Sequence, residues 1–326
     1  MSRRMIPLKL IPDNTNIDFL RWRGVAMGIS ILLIVASIAL VATRGLNLGV
    51  DFVGGQVTRA TFARPVAVDE LRTRVDALGL GEASIQQFGS PRDVSIRLPL
   101  PEGGDAAADA AAGRVRAALT RAYPGVRIAA VDTVSGKVSG ELFTKGAWAL
   151  ALAMLGVSLY IWLRFEWQFG VGALFSLFHD VALTLGFFSL TRLEFDLNII
   201  AAILTIIGYS LNDTIVVYDR VRENLRKYRR MPMPELLNLS TNETLSRTIV
   251  TSLSIIMALA ALVVLGPAVI FGFSLAMLLG IVIGTYSSIY IANPILIWTG
   301  VTGQSFVPDK AAGPAGAERV AARELP

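Results

Sequence analysis

Cysteine is absent from the 326 residues, and histidine occurs once, at His179. Without thiols there is no disulfide frame and no thiolate nucleophile, and a single imidazole cannot build an all-histidine metal site within the chain. Charge is also scarce, at 17% of residues against 53% hydrophobic, with a mean hydropathy of +0.57. That balance excludes a solvated surface over most of the length and places the chain among membrane proteins. The net charge of +5 comes from basic residues beside apolar runs, so it reports topology and not nucleic-acid binding. No nucleophile–base set, metal cluster or cofactor loop is present, so neither enzymatic activity nor a cofactor is expected.

Six apolar runs reach or approach the roughly 17 to 25 residues that a spanning helix needs. They are Val25 to Thr43, Gly146 to Leu163, Phe169 to Leu190, Leu197 to Tyr218, Thr248 to Gly266 and Ile270 to Trp298. Arg3, Arg4, Lys9, Arg21 and Arg23 precede the first. That run is long for a signal-peptide core and lacks a small-residue cleavage site, so it reads as a retained helix. Arg220, Arg222, Arg226, Lys227, Arg229 and Arg230 follow the fourth run. Lysine and arginine mark the cytoplasmic side, so both termini of a multi-pass membrane protein are expected in the cytoplasm. The expected domains are a cytoplasmic segment 1–24, a first span 25–43 and an extracytoplasmic domain 44–145. A five-helix region 146–300 with a basic cytoplasmic loop 219–246 follows, and a disordered cytoplasmic tail 301–326 closes the chain.

Between the first two runs the pattern changes to short elements. Gln56 to Phe62 reads as a strand, Val68 to Leu78 as a helix, and Ala83 to Phe88 and Asp93 to Leu98 as paired strands around Gly89-Ser90-Pro91. Asp105 to Ala122 reads as an alanine-rich helix and Val126 to Val131 as a last strand. The order βαββαβ is the split arrangement of ferredoxin-like domains. Asp132, Thr133, Ser135, Asp69 and Glu70 form no convergent catalytic set, and a docking surface is expected instead.

Asp213 lies near the inner end of the fourth run. An ionisable residue at membrane depth costs about 2.5 to 3.5 kcal/mol on insertion scales, so it normally faces a partner or a water-filled path. Arg247 immediately precedes the fifth run, and antiparallel neighbours would bring the two charges into one leaflet. Tyr209 and Asn212 add a polar patch around Asp213. Arginine stays protonated, so Arg247 is expected to tune and gate Asp213 and not to carry the proton. Ser240, Thr244, Arg247, Thr251 and Ser254 recur at steps of four and three, which places them on one helical face. His179 and Asp180 in the third span are relay or polar-support candidates, with Ser176 and Thr184 on Asp180's face. Gly49, Gly54 and Gly55 around Asp51 predict an unusual backbone path, since a P-loop's lysine and strand-to-helix context are missing. Gly280 and Gly284 form a G-x-x-x-G pair suited to close helix packing. Asn238 and Asn242 carry apparent glycosylation sequons on the expected cytoplasmic side, where they have no such meaning.

Gly49-Val50-Asp51-Phe52-Val53-Gly54-Gly55 and Gly208-Tyr209-Ser210-Leu211-Asn212-Asp213-Thr214, continuing to Arg220, resemble the SecD/SecF family of protein-export membrane proteins, related to the RND superfamily. So do Thr244-Leu245-Ser246-Arg247-Thr248 and Phe178-His179-Asp180-Val181. The resemblance follows motif order over nearly the whole chain and leaves only the tail unmatched. It implies a subunit of the SecD–SecF complex that uses the proton-motive force to promote preprotein translocation, with proton conduction at Asp213 and Arg247 together with an aspartate of SecD. The implied partners are SecD, the SecYEG channel, YajC, SecA, the translocating preprotein and the lipid bilayer. Two rival readings stand beside it: half of a secondary transporter for a small solute, and a passive assembly subunit.

Overall fold

The computed structural model describes residues 12, 15–101 and 103–301. Residues 302–326 of the expected tail, with Arg3, Arg4 and Lys9 of the basic N-terminal cluster, lie outside the described residues. In chain order the elements are α1 (Arg23–Arg44), β1 (Asn47–Leu48), α2 (Val50–Val53), β2 (Gly55–Thr61), α3 (Val68–Asp76), β3 (Ser84–Phe88) and β4 (Ser90–Leu98). They continue with α4 (Gly104–Ala122), β5 (Arg127–Val134), α5 (Gly136–Arg164), α6 (Trp167–Thr191), β6 (Glu194–Phe195), α7 (Leu197–Lys227), α8 (Met233–Leu265), α9 (Phe271–Ser287) and α10 (Asn293–Trp298).

Six helical segments are long and apolar enough to cross a membrane: Phe19–Arg44, Gly136–Arg164, Trp167–Thr191, Leu197–Lys227, Met233–Leu265 and Phe271–Trp298. Each matches one of the expected apolar runs, the fifth ending one residue short of Gly266 and the sixth starting one residue after Ile270, and several are longer. Helix α7 continues to Lys227 and α8 starts at Met233, so the expected loop 219–246 is almost wholly helical and turns only across 228–232. Apolar runs mark only the part that needs oil. The polar ends stay helical because Arg220 donates to Glu223 at 2.6 Å and to Glu243 at 2.7 Å, and Asn224 donates to Ser240 at 3.0 Å. The segment ahead of α1 is fastened to α8 by Asn238 and Asn242, which accept from the backbone N–H groups of Leu20 at 3.1 Å and Ile17 at 2.9 Å.

Small residues set how closely the helices approach. A Cβ at Gly280 would sit 2.3 Å from Ile206 Cδ1, and one at Gly284 would sit 3.0 Å from Ser210 Cβ, so the G-x-x-x-G pair packs α9 on α7. On α6, Gly172 leaves room for the Tyr218 hydroxyl, which donates to the Ala292 carbonyl at 3.0 Å. Ala292 lies in a π-turn, Ser288–Ala292, just ahead of Pro294. Proline has no N–H for the regular ladder, and a wider turn absorbs the defect.

The inserted domain has the order βαββαβ and one antiparallel sheet, β3-β4-β2-β5. Strand β4 begins at Ser90, ahead of the expected Asp93, and a register shift at Gln87/Phe88 absorbs the tight turn. Alternation along the strands sends Ala60, Phe62, Ile85, Val94, Ile96 and Leu98 into a core with Leu71 and Val75 of α3 and Val115 and Leu119 of α4. The opposite, helix-free face carries Arg59, Gln86, Ser95 and Arg97, and this face meets the helical bundle.

That junction is polar and held from both sides. Strands β1 and β6 pair in parallel, Asn47 with Glu194 and Leu48 with Phe195. Arg97 donates to the Leu48 carbonyl and, at 2.9 Å, to Asn47 Oδ1, while Asn47 and Gln86 both donate to the Arg192 carbonyl, at 2.8 and 2.7 Å. Arg59 pairs with Asp132 at 2.6 Å and reaches Asp196 at 4.0 Å. Burial pushes the Glu194 and Asp196 carboxyls up, against the pull of Arg97 and Arg59 on Glu194 and of hydrogen bonds from Asn198 and Ile199 on Asp196.

Candidate functional site

Helix α7 starts on carboxylates and carries one in its interior. Asp51, from the glycine-rich segment, accepts from Leu197 N at 2.9 Å, and Asp196 accepts from Ile199 N at 3.1 Å. Both satisfy N–H groups that the first helical turn leaves open, where negative charge is also favourable. Four-residue α2 brings Asp51 there, and its flanking glycines make the path possible. Gly54 and Gly55 have φ of +74° and +128°, a Cβ at Gly55 would lie 2.8 Å from the Leu98 carbonyl oxygen, and one at Gly49 would lie 3.1 Å from Glu194 Oε1. These residues therefore bolt the inserted domain to the helix that bears Asp213.

Asp213 is buried, 3% exposed, and its Oδ2 has no hydrogen-bond partner. Helices α7 and α8, which carry Asp213 and Arg247, are neighbours. Among the described residues no ion pair within 4.0 Å joins the two, so the expected contact is not made within this chain. Arg247 itself is exposed on the outer side of α8. The two helices are clipped instead by Tyr209, whose hydroxyl lies 3.0 Å from Ser252 Oγ, which in turn lies 2.9 Å from Thr285 Oγ1 of α9.

Asn212 does not join this cluster. It is exposed, and with Ala201, Thr205 and Gly208 it forms an uncovered face of α7. Thr251 is exposed as well, and its hydroxyl donates to the Arg247 and Thr248 carbonyls of its own helix at 2.9 and 3.0 Å. The expected stripe turns outward along its length, with Ser240 and Thr244 buried and Arg247, Thr251 and Ser254 exposed. The inward polar contacts of α8 include Ser240 at the head of the stripe, bonded by Asn224, and Thr241 and Ser252 beside it, while the buried Thr248 hydroxyl has no hydrogen-bond partner. Hydroxyls one position away differ by a third of a turn, and the sequence does not say which row the neighbours cover.

One helical turn before Asp213, Ser210 donates at 2.5 Å to Asp180 Oδ2. The same oxygen accepts from Ser287 of α9 at 2.9 Å, and Ser176 donates to Ser287 at 2.9 Å. Asp180 Oδ1 lies 2.9 Å from His179 Nδ1. Asp180 is thus a wholly buried hub joining α6, α7 and α9, with both carboxylate oxygens engaged. Ser210 and Ser287 were not legible as its partners, although Ser210 lies within a quoted motif.

The fold and motifs match known proteins. The family model described as "Protein export membrane protein SecD/SecF, C-terminal" matches residues 114–302, and that of the "SecD/SecF GG Motif" matches residues 39–66. The chain is 42% identical over 306 residues to the protein translocase subunit SecF of Rhodobacter capsulatus, covering 90% of this chain and 92% of the relative. It is 41% identical over 300 residues to that of Pseudomonas aeruginosa, covering 91% and 95%. Among solved structures, the crystal structure of the translocon-associated membrane protein SecDF from Thermus thermophilus superposes with a TM-score of 0.80 at 34% identity, over 90% of this chain and 40% of that one. SecDF in a super-membrane-facing form gives 0.62 at 32% identity. This chain therefore spans about 40% of the length of the solved SecDF chain.

Proposed function

The chain belongs to the SecD/SecF family of protein-export membrane proteins, and from that premise we propose that it is the SecF-type accessory subunit of Sec-dependent translocation, driven by protons at Asp213. It is a multi-pass membrane protein. The basic ends of α5 and α7, with the start of α8 beside them, lie in the cytoplasm, and the βαββαβ domain, of ferredoxin-like order, stands outside the inner membrane. A SecD subunit supplies the other half. Whereas the Thr205, Thr251 and Ser254 hydroxyls bond carbonyls of their own helices, Asn212 on α7 and Arg247 on α8 are exposed with no side-chain partner among the described residues. Such groups need a partner or water. SecD covers that face and adds its own carboxylate, and the pair acts with SecYEG, YajC and SecA on the emerging preprotein.

The carrying observation is the buried Asp213 carboxylate with an unpartnered oxygen, on the helix that packs against α8 and its Arg247. A passive structural pair would be closed by contact, whereas an open one gains or loses a proton without breaking a hydrogen bond at that oxygen. Neutralising Asp213 weakens its attraction to Arg247, changes how α7 sits against α8, and moves the domain that Asp51 and Asp196 fasten to the far end of α7. Asp180 and His179 support α7 through Ser210, with both Asp180 oxygens engaged. One proton crossing 100 mV supplies about 2.3 kcal/mol, enough to shift an equilibrium less than a hundredfold, so larger work takes several protons or a pH gradient as well.

The test is preprotein export from cells whose only copy carries Asp213→Asn, with and without an uncoupler. The variant should assemble with SecD and lose the gradient-dependent part of export. Full gradient-dependent export would reject the reading.

A further inference from the structure

At the basic end of the bundle a cleft of about 490 Å³ lies between the α5–α6 turn and the last turns of α7. It is lined by Arg164, Arg222, Arg226 and Lys227 with only Asp219 and Glu223, two cations in excess. The acids are partly taken. Glu223 pairs with Arg220 at 2.6 Å, and Asp219 holds Arg164 only loosely, at 3.8 Å. Arg222 lies 3.7 Å from Glu166, and the Arg222 and Arg164 guanidinium carbons lie 5.1 and 5.3 Å from the Phe165 ring centroid. The Phe165 ring thus fixes two cations at the cleft's mouth. Among the described residues Arg226 has no ion pair, and the Lys227 ammonium rests 4.9 Å over the Tyr228 ring.

The same place is where an apolar stripe ends. Trp148, Leu152, Leu155, Leu159 and Trp162 of α5 are all exposed, and their steps of four and three put them on one helix face that runs to Arg164. Trp162, Leu163 and Trp167 are exposed around the cleft, as amphipathic rings are at a membrane–water boundary. Cations at the end of an apolar stripe call for one molecule with an anionic head and apolar tails.

We propose that this cleft binds the phosphate headgroup of an anionic phospholipid whose acyl chains lie along α5. Arg226 and Lys227 supply the unspent charge, Arg164 moves from Asp219 to the phosphate, and Arg222 stays in place as the wall. The site depends on the bundle spanning a bilayer and is independent of proton coupling at Asp213.

The full chain is reconstituted in phosphatidylcholine vesicles containing brominated phosphatidylglycerol or, separately, brominated phosphatidylcholine. Quenching is read at Trp162 and Trp167 against a Trp162→Phe/Trp167→Phe control. The anionic quencher should be enriched at these rings, and Arg226→Gln/Lys227→Gln should reduce that enrichment by roughly an order of magnitude. Quenching by the zwitterionic lipid should stay unchanged, which shows that the variant is folded. Arg229→Gln/Arg230→Gln removes the same charge outside the cleft and should leave most of the enrichment.

Equal loss in that control would reduce the effect to surface potential and overturn the site. Displacement by inorganic phosphate would make it a free-phosphate site, also against the proposal. Unchanged enrichment in Arg226→Gln/Lys227→Gln, with loss of binding to a protein partner instead, would assign the cleft to that partner.

Discussion

Asp180→Ala removes the carboxylate on which α6, α7 and α9 converge. Two inter-helix hydrogen bonds go with it, from Ser210 at 2.5 Å and Ser287 at 2.9 Å, and His179 Nδ1 loses its neighbour at 2.9 Å. Inter-helix polar contacts inside membranes average about 0.6 and reach about 1.7 kcal/mol, so the two bonds together are worth about 1 to 3 kcal/mol. Ser287 keeps a second acceptor, the Gly284 carbonyl at 3.1 Å, which pulls the expected loss toward the lower end. Asp180→Asn keeps an oxygen in place and should cost less than about 1 kcal/mol. The assay is reversible unfolding in bicelles, with an Asp180→Ala, Ser210→Ala double-mutant cycle, run beside gradient-dependent export. The cycle should give a coupling of about 0.6 to 1.7 kcal/mol, and export should fall with stability in Asp180→Ala and persist in Asp180→Asn. An Asp180→Asn variant of native stability that has lost gradient-dependent export would refute the reasoning, since the carboxylate would then be carrying protons.

Gly280→Ala should destabilise the bundle by about 1 to 3 kcal/mol through overpacking against Ile206, whereas Gly28→Ala, with open space at its Cβ, should not lower the unfolding midpoint. Gly55→Ala meets both a φ of +128° and the Leu98 carbonyl, and should cost about 1 to 3 kcal/mol, seen as faster proteolysis between the inserted domain and the bundle. Burial raises the Glu194 carboxyl above its ordinary 4.5, so the folded state holds the proton more tightly and docking weakens as pH rises from 4.5 through the raised value. Glu194→Gln should flatten that slope in the unfolding midpoint and leave the junction more stable at neutral pH. An unchanged slope would show that Glu194 is not the titrating group.

The six spans were legible because lipid demands continuous apolar length, and the βαββαβ order because turn residues punctuate alternating strands. The helical ends of α7 and α8 were not, since Arg220, Glu223, Asn224 and Glu243 read as a polar loop until their cross-helix partners are known. Nothing local announces the β1–β6 pair, two residues on each side joined across the whole inserted domain. The π-turn had a usable signal in Asn293-Pro294. For the site, residue types were legible and directions were not: Asp213, Asp180 and Tyr209 turn inward, while Asn212, Thr251 and Arg247 face outward. Periodicity groups residues on a face but does not say what that face meets. Where a partner subunit is missing, polar residues on the covered side and on the uncovered side look alike in one chain.

The most direct measurement is the infrared difference spectrum produced by a pH change in the chain assembled with SecD in membranes. Protonation of Asp213 predicts a carboxylic-acid carbonyl band that comes and goes with pH, disappears in Asp213→Asn and survives in Asp180→Asn. A spectrum left unaltered by Asp213→Asn would contradict proton coupling at this residue.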